Sequence, residues 1–136
     1  MARNVLVDAG FLVALLSRRD ARHEWAVMQA PMHALPWHTC EAAIAEAFYL
    51  LGAFGTPQLI GLLRRKAVIV AFDLHDNLEP VLKLMQKYAS LPMSVADACL
   101  VRMTEILPDP VILSIDSDFR IYRRHSRQVV PCVLPS

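Results

Sequence analysis

Four carboxylates stand in the most apolar parts of this chain. Asp8 is the only charge from Asn4 to Ser17, and Glu46 the only one from Ala42 to Leu63. Asp97 is alone from Ala89 to Val101, and Asp116 from Val111 to Ser117. An ionised carboxylate buried by itself is costly, so such a group is paired, neutral or bound to a metal. Lys and Arg are missing from all four stretches, which leaves few pairing partners. If the four converge, two carboxylates ~4 Å apart repel by roughly 4 kcal/mol at an effective dielectric of about 20. Some must then take up protons, or a cation must relieve them. All-oxygen ligation suits Mg2+ or Mn2+ rather than zinc. Such ions activate water and stabilise the oxygens of an in-line phosphoryl displacement, the chemistry that cuts phosphodiesters.

Each acid also has a plainer role. Asp8 sits where a strand hands over to a helix and can cap that helix. Asp97 lies three residues after Ser94, the spacing of a capping box. Asp116 and Asp118 follow a strand and suit a turn. Glu46 is different, because it falls in mid-helix. Its i−4, i+3 and i+4 neighbours are Ala42, Tyr49 and Leu50, which predicts an apolar, buried face around it. Glu41 lies in the first turn of the same helix, where a carboxylate complements the dipole. Capping accounts for single acids but not for the set.

The elements that would position them alternate between strand and helix. Strands are predicted at Asn4–Asp8, His33–Trp37, Ala67–Phe72, Val111–Ile115 and Val129–Val133. Pro36 puts the second of these at an edge or a strand end. Helices are predicted at Phe11–Leu16, from an Asp20 cap to Met28, and from a Thr39 cap to Gly55. Thr56-Pro57 starts a further helix that ends in Arg64-Arg65-Lys66. An Asp76/Glu79 capping box opens a helix through Tyr88, and Ser94/Asp97 opens one through Leu107. A helical turn is expected to carry Arg120, Arg123 and Arg124. This order implies an α/β fold of three layers, with a central, mostly parallel sheet flanked by helices. Residues 1–136 are read as one domain.

In order, VLVDAGFLVALL, TCEAAIAEAFYLL, MSVADACLV and ILSIDSDF resemble the PIN domain, over about residues 3–133. The resemblance is closest to small single-domain PIN proteins of the VapC toxin type. It implies a PIN-like fold and a Mg2+- or Mn2+-dependent ribonuclease. It places Asp8, Glu46, Asp97 and Asp116 at the acidic metal-binding positions, with Asp118 as a further acid. It also implies a toxin of a toxin–antitoxin pair, a homodimer, and a small antitoxin protein that blocks the site. The apolar excess of Ala42–Leu63 suits such interfaces. One departure is visible: many members carry Ser or Thr two residues after the first acid, and this chain has Gly10.

Composition bounds these expectations. The chain has 136 residues, 55% of them hydrophobic, and a net charge of +1, so no global field draws it to nucleic acid. Local basic clusters remain, at Arg18, Arg19 and Arg22, at Arg64–Lys66, and at Arg120–Arg127. Of these, Arg120, Arg123 and Arg124 follow Asp116 directly and are the candidates for gripping RNA phosphates. Tyr122 among them is a candidate base platform. Cys40, Cys99 and Cys132 form no CxxC pair and read as buried, reduced thiols, suited to the cytoplasm. The methionines, Met28 among them, read as core filler. Neither a signal peptide nor a membrane-spanning run of ~20 apolar residues is expected. A phosphatase with an aspartyl nucleophile would want a second acid at Gly10, and a receiver domain would want a late lysine beyond Lys87. The other class to weigh is a non-catalytic module that binds a cation, RNA or a protein partner.

Overall fold

The computed structural model describes residues 3–136. Five parallel strands form one sheet: β1 (Asn4–Val7), β2 (Trp37–Thr39), β3 (Val68–Val70), β4 (Pro110–Leu113) and, last in the chain, β7 (Cys132–Val133). Their spatial order is β3-β2-β1-β4-β7. The helices are α1 (Ala9–Leu16), α2 (His23–Gln29), α3 (Glu41–Arg64), α4 (Leu78–Lys87) and α5 (Val95–Ile106). A small antiparallel hairpin, β5 (Arg123–Arg124) with β6 (Gln128–Val129), lies outside the sheet.

Strand periodicity divides the core in two. Leu6 and Ile112 face one side, with Ala98–Val101 and Met103 of α5, Val81 and Leu84 of α4, and Phe119 and Tyr122. Val5, Val7, Val111 and Leu113 face the other, with Phe11 and Leu12 of α1, Ala26 of α2, and Ala47 and Leu51 of α3. A sheet buried on both faces explains why its strands read as continuous apolar runs. Phe11 is the hub of the second layer, edge-on to Trp25 and Trp37 at centroid distances of 6.0 and 5.6 Å.

The register positions the site. Val7 pairs with Leu113 across β1 and β4, so the residues that leave the two strands emerge side by side. The chain winds from β1 through β2 to β3 on one side, then returns to place β4 on the other. The carboxyl ends of β1 and β4 therefore flank the point where the winding reverses, which is where open α/β sheets bind ligands.

Several local expectations are corrected. β2 begins at Trp37 rather than His33, directly after Pro36, which thus stands at a strand end as one of its two expected places, while the strand itself is interior to the sheet. Thr39 does not cap α3; its hydroxyl donates to Val7 O at 2.8 Å, and Cys40 is the N-cap. The helix breaks at Gly52, not Gly55: Gly52 has φ 60°, a conformation that costs glycine little. Helix resumes at once and carries Pro57 inside it. The Asp76/Glu79 box does not form, because a 3-10 turn over His75–Asn77 takes its place and α4 starts at Leu78. The final strand is split between the hairpin and the sheet edge. Met28 is 66% exposed and fills no core. By length and composition α3 would suffice to cross a membrane, contrary to expectation. It is interrupted at Gly52, and Ala43, Ala47 and Leu51 pack into the core while most of its residues are exposed or half-buried.

Candidate active site

Asp8 leaves β1 and caps α1, its Oδ1 accepting from Phe11 N at 2.8 Å. The capping role expected of it is thus real, and it uses one carboxylate oxygen. The other, Oδ2, accepts a 2.5 Å hydrogen bond from Ser114 Oγ. Ser114 is fully buried where β4 ends, next to Asp8 by register. Its Oγ also accepts from Asp116 N at 2.9 Å, and Asp116 Oδ1 accepts from Asp118 N at 2.9 Å. One hydrogen-bonded chain thus runs from α1 through Asp8 and Ser114 to Asp116 and the turn behind it.

Ser114 is the residue that sequence reasoning missed. Its signal was a lone polar residue inside the VILSI run, two positions before an acid. It also bears on the departure at Gly10. A Cβ at Gly10 would lie 3.0 Å from Ile115 Cγ1, so Ile115 leaves little room for a larger residue. The hydroxyl on Asp8 comes from the neighbouring strand instead. Ser114→Ala is expected to cost about 1–3 kcal/mol, since it strips a partner from the buried Asp8 carboxyl and from the half-buried Asp116 N–H. Chemical denaturation would show it, and a change below a few tenths of a kcal/mol would mean that water replaces the hydroxyl.

Asp97 enters from α5. The capping box forms as its spacing predicts: Asp97 N donates to Ser94 Oγ at 3.0 Å, and Asp97 Oδ2 accepts from Ser94 N at 3.3 Å. Tyr122 Oη donates to the same oxygen at 3.4 Å. Tyr122 is fully buried and packs edge-on against Tyr88 and Phe119, so it is no base platform. Burial and the negative charges around it push its phenol pKa up.

Glu46 corrects another expectation. The buried face of α3 is Ala43, Ala47 and Leu51, whereas Glu46 is exposed, and Tyr49 beside it is 85% exposed. Glu46 is not a buried charge, yet its carboxylate lies within electrostatic reach of Asp97.

The electrostatics join the four acids. Burial lifts the Asp8 carboxyl from 3.8 to about 7, with the charges of Asp97 and Asp116 adding to the rise. Burial also lifts Asp97, helped by Asp116 and Glu46. Among the described residues both salt bridges lie elsewhere, at Arg3–Asp109 and Arg102–Glu105. Nor do three His, Cys, Asp or Glu side chains form a ready-made metal clasp among the described residues. The arrangement is a set of mutually repelling oxygen donors that no salt bridge among the described residues neutralises. That donor chemistry fits a hard divalent ion.

The basic cluster is placed differently from expectation. Arg123 Nη1 donates to the carbonyls of Arg120, Ile121 and Tyr122 at 2.7, 3.1 and 3.0 Å. Arg124 Nη2 donates to Thr104 O on α5, and His125 N donates to Glu105 Oε2 at 2.7 Å. These contacts tie the β5–β6 hairpin to its own turn and to α5, and they engage one nitrogen of each guanidinium. Arg120 is exposed on the 3-10 turn that follows Asp116. Neither protein-family models nor curated proteins give a match to this chain.

Proposed function

We propose that the protein is a PIN-type, Mg2+- or Mn2+-dependent endoribonuclease. The observation that carries this reading is the gathering of Asp8, Asp97 and Asp116, with Glu46 at the margin, around the reversal point of a parallel sheet, with no salt bridge to them among the described residues. These four would hold the ion, with Asp118 as a further acid on the same turn. Once bound, the ion supplies water activation and charge stabilisation at the phosphate. The chain's own part is orientation. Ser114 fixes Asp8 relative to Asp116, and Ser94 fixes Asp97. Arg120, exposed on the turn after Asp116, would meet a neighbouring RNA phosphate, with Arg123 and Arg124 on the hairpin that follows.

The same reading makes it a cytoplasmic toxin, a homodimer held in check by an antitoxin protein. Support for a protein partner comes from Tyr49, Leu50 and Phe54, large apolar side chains exposed along α3. Leu50 and Phe54 line a cleft of about 470 Å³ with Leu16, Arg18, Arg19 and Gln58.

Purified protein incubated with total RNA is expected to yield discrete fragments in Mg2+ or Mn2+ and none in EDTA. Fragments that persist in EDTA would mean a different nuclease chemistry or a contaminant. If neither condition gives cleavage, and calorimetry detects no binding of Mn2+, the four-acid site fails as a metal centre.

A further inference from the structure

Ser114 links Asp8 to Asp116, but it does not reach Asp97. Asp97 arrives on α5, and its own helix fixes it through the Ser94 box. Among the described residues, the side chain that bonds it from another element is Tyr122. Tyr122 belongs to the Asp116 turn. Phe119 N donates to Asp116 O at 3.3 Å, and Tyr122 N donates to Asp118 O at 3.2 Å, so the turn closes on itself behind its acids. The Tyr122 ring is fully buried and edge-on to Tyr88 and Phe119, at centroid distances of 5.1 and 5.4 Å. Tyr88 is held in turn, because its Oη accepts from Arg123 N at 2.8 Å. A ring clamped in this way fixes where its hydroxyl lies, and a buried phenol O–H needs a partner.

That partner is Asp97 Oδ2, at 3.4 Å. Hydrogen bonds in unliganded sites are often long, and one to an ionised carboxylate is of the stronger kind. Asp97 Oδ2 also accepts from Ser94 N at 3.3 Å. Both bonds fall on the same oxygen, which leaves Oδ1 without a hydrogen bond among the described residues. We propose that Tyr122 is a positioning residue: its hydroxyl holds Asp97 Oδ2 to the Asp116 turn and leaves Oδ1 to the divalent ion. The proposal rests on the metal-dependent nuclease reading and adds a residue to it. Tyr122 does for Asp97 what Ser114 does for Asp8, so one turn orients acids from both β1 and α5. Removing a group that orients a metal ligand from behind typically weakens the metal by about 10- to 100-fold.

The test is calorimetric titration of Mn2+ alone into the parent, Tyr122→Phe and Tyr88→Phe. Phenylalanine keeps the ring and its packing and removes only the hydroxyl. Tyr88→Phe is the control, since it deletes a hydroxyl from the same aromatic stack that bonds Arg123 N and no acid. Tyr122→Phe is expected to bind Mn2+ about 10-fold more weakly, with Tyr88→Phe close to the parent. RNA cleavage by Tyr122→Phe should be low at limiting Mn2+ and recover in excess Mn2+, with KM for RNA unchanged. A merely structural hydroxyl would lower the denaturation midpoint in metal-free buffer and leave Mn2+ affinity where it was, which overturns the proposal. Equal losses of Mn2+ affinity in both phenylalanine variants, or loss of cooperative unfolding in Tyr122→Phe, overturn it as well, because the core rather than the acid would then be at fault. A parent that binds no Mn2+ removes the metal reading and the proposal together. A parent that binds Mn2+ no better than Tyr122→Phe does removes the proposal alone.

Discussion

At pH 8, in the absence of divalent metal, Asp8→Asn should unfold at higher denaturant than the parent, while its metal-dependent cleavage of RNA falls by on the order of 10³-fold. The two effects share one cause. The folded protein holds the Asp8 proton up to about pH 7, whereas the unfolded chain releases it near 3.8. Between those values the native state binds more protons than the unfolded state, so stability falls as pH rises through the window. Above pH 7 the ionised, buried carboxylate costs on the order of 4 kcal/mol relative to a neutral one. The groups that face it are Asp97 from α5 and Asp116 beyond β4, both negative. An amide removes that penalty and keeps the cap, its carbonyl still accepting from Phe11 N. Well below pH 3.8, where Asp8 is neutral in both states, the difference between parent and variant should vanish, and at pH 4 it should already be small. Equal destabilisation at pH 4 and pH 8 would instead make Asp8 a cap and nothing more.

Phe11→Ala is the substitution expected to damage the fold most. Phe11 is fully buried and wedged edge-on between Trp25 and Trp37. Its loss opens a cavity in the layer formed by α1, α2 and α3 and should cost ~3–5 kcal/mol. For a chain of this size that lowers the melting temperature by roughly 10–18 °C. Tryptophan emission should shift to the red as water reaches the two indoles. A loss under ~1 kcal/mol would mean that the layer collapses into the gap, since the cost of a cavity depends on how far its walls relax.

Much of this could be read in advance because the signals were local and strong. Apolar runs between helix caps marked a parallel α/β sheet, and Ser94 with Asp97 gave a capping box that the structure contains. Asp8 and Asp116 were placed at strand ends for reasons of pattern alone. What failed was context. Gly52 outranked Gly55 as a breaker, and a proline one turn later did not stop the helix, because tertiary packing of Ala47, Leu51 and Leu59 carries α3 across both. Glu46 was assigned a buried face because apolar neighbours were equated with the core, yet Tyr49 and Leu50 are exposed. Arg123 and Arg124 were read from charge alone; each also donates to backbone carbonyls, which a guanidinium takes as readily as phosphate. Ser114 escaped notice because its role depends on strand register, which no single segment encodes.

That register has a consequence in time. Asp8 and Ser114 are hydrogen-bonded neighbours separated by 106 positions in the chain. β1 cannot meet β4 until both crossovers on its other side and the whole of α4 and α5 have been made. Contacts of such long sequence separation form late and slowly in folding. A chain emerging from the ribosome therefore carries Asp8 without Ser114 or Asp116 for most of its synthesis. Its acids stay scattered and solvated until β4 inserts beside β1. Whatever chemistry the cluster performs is withheld from the nascent chain and from any fragment that ends before β4.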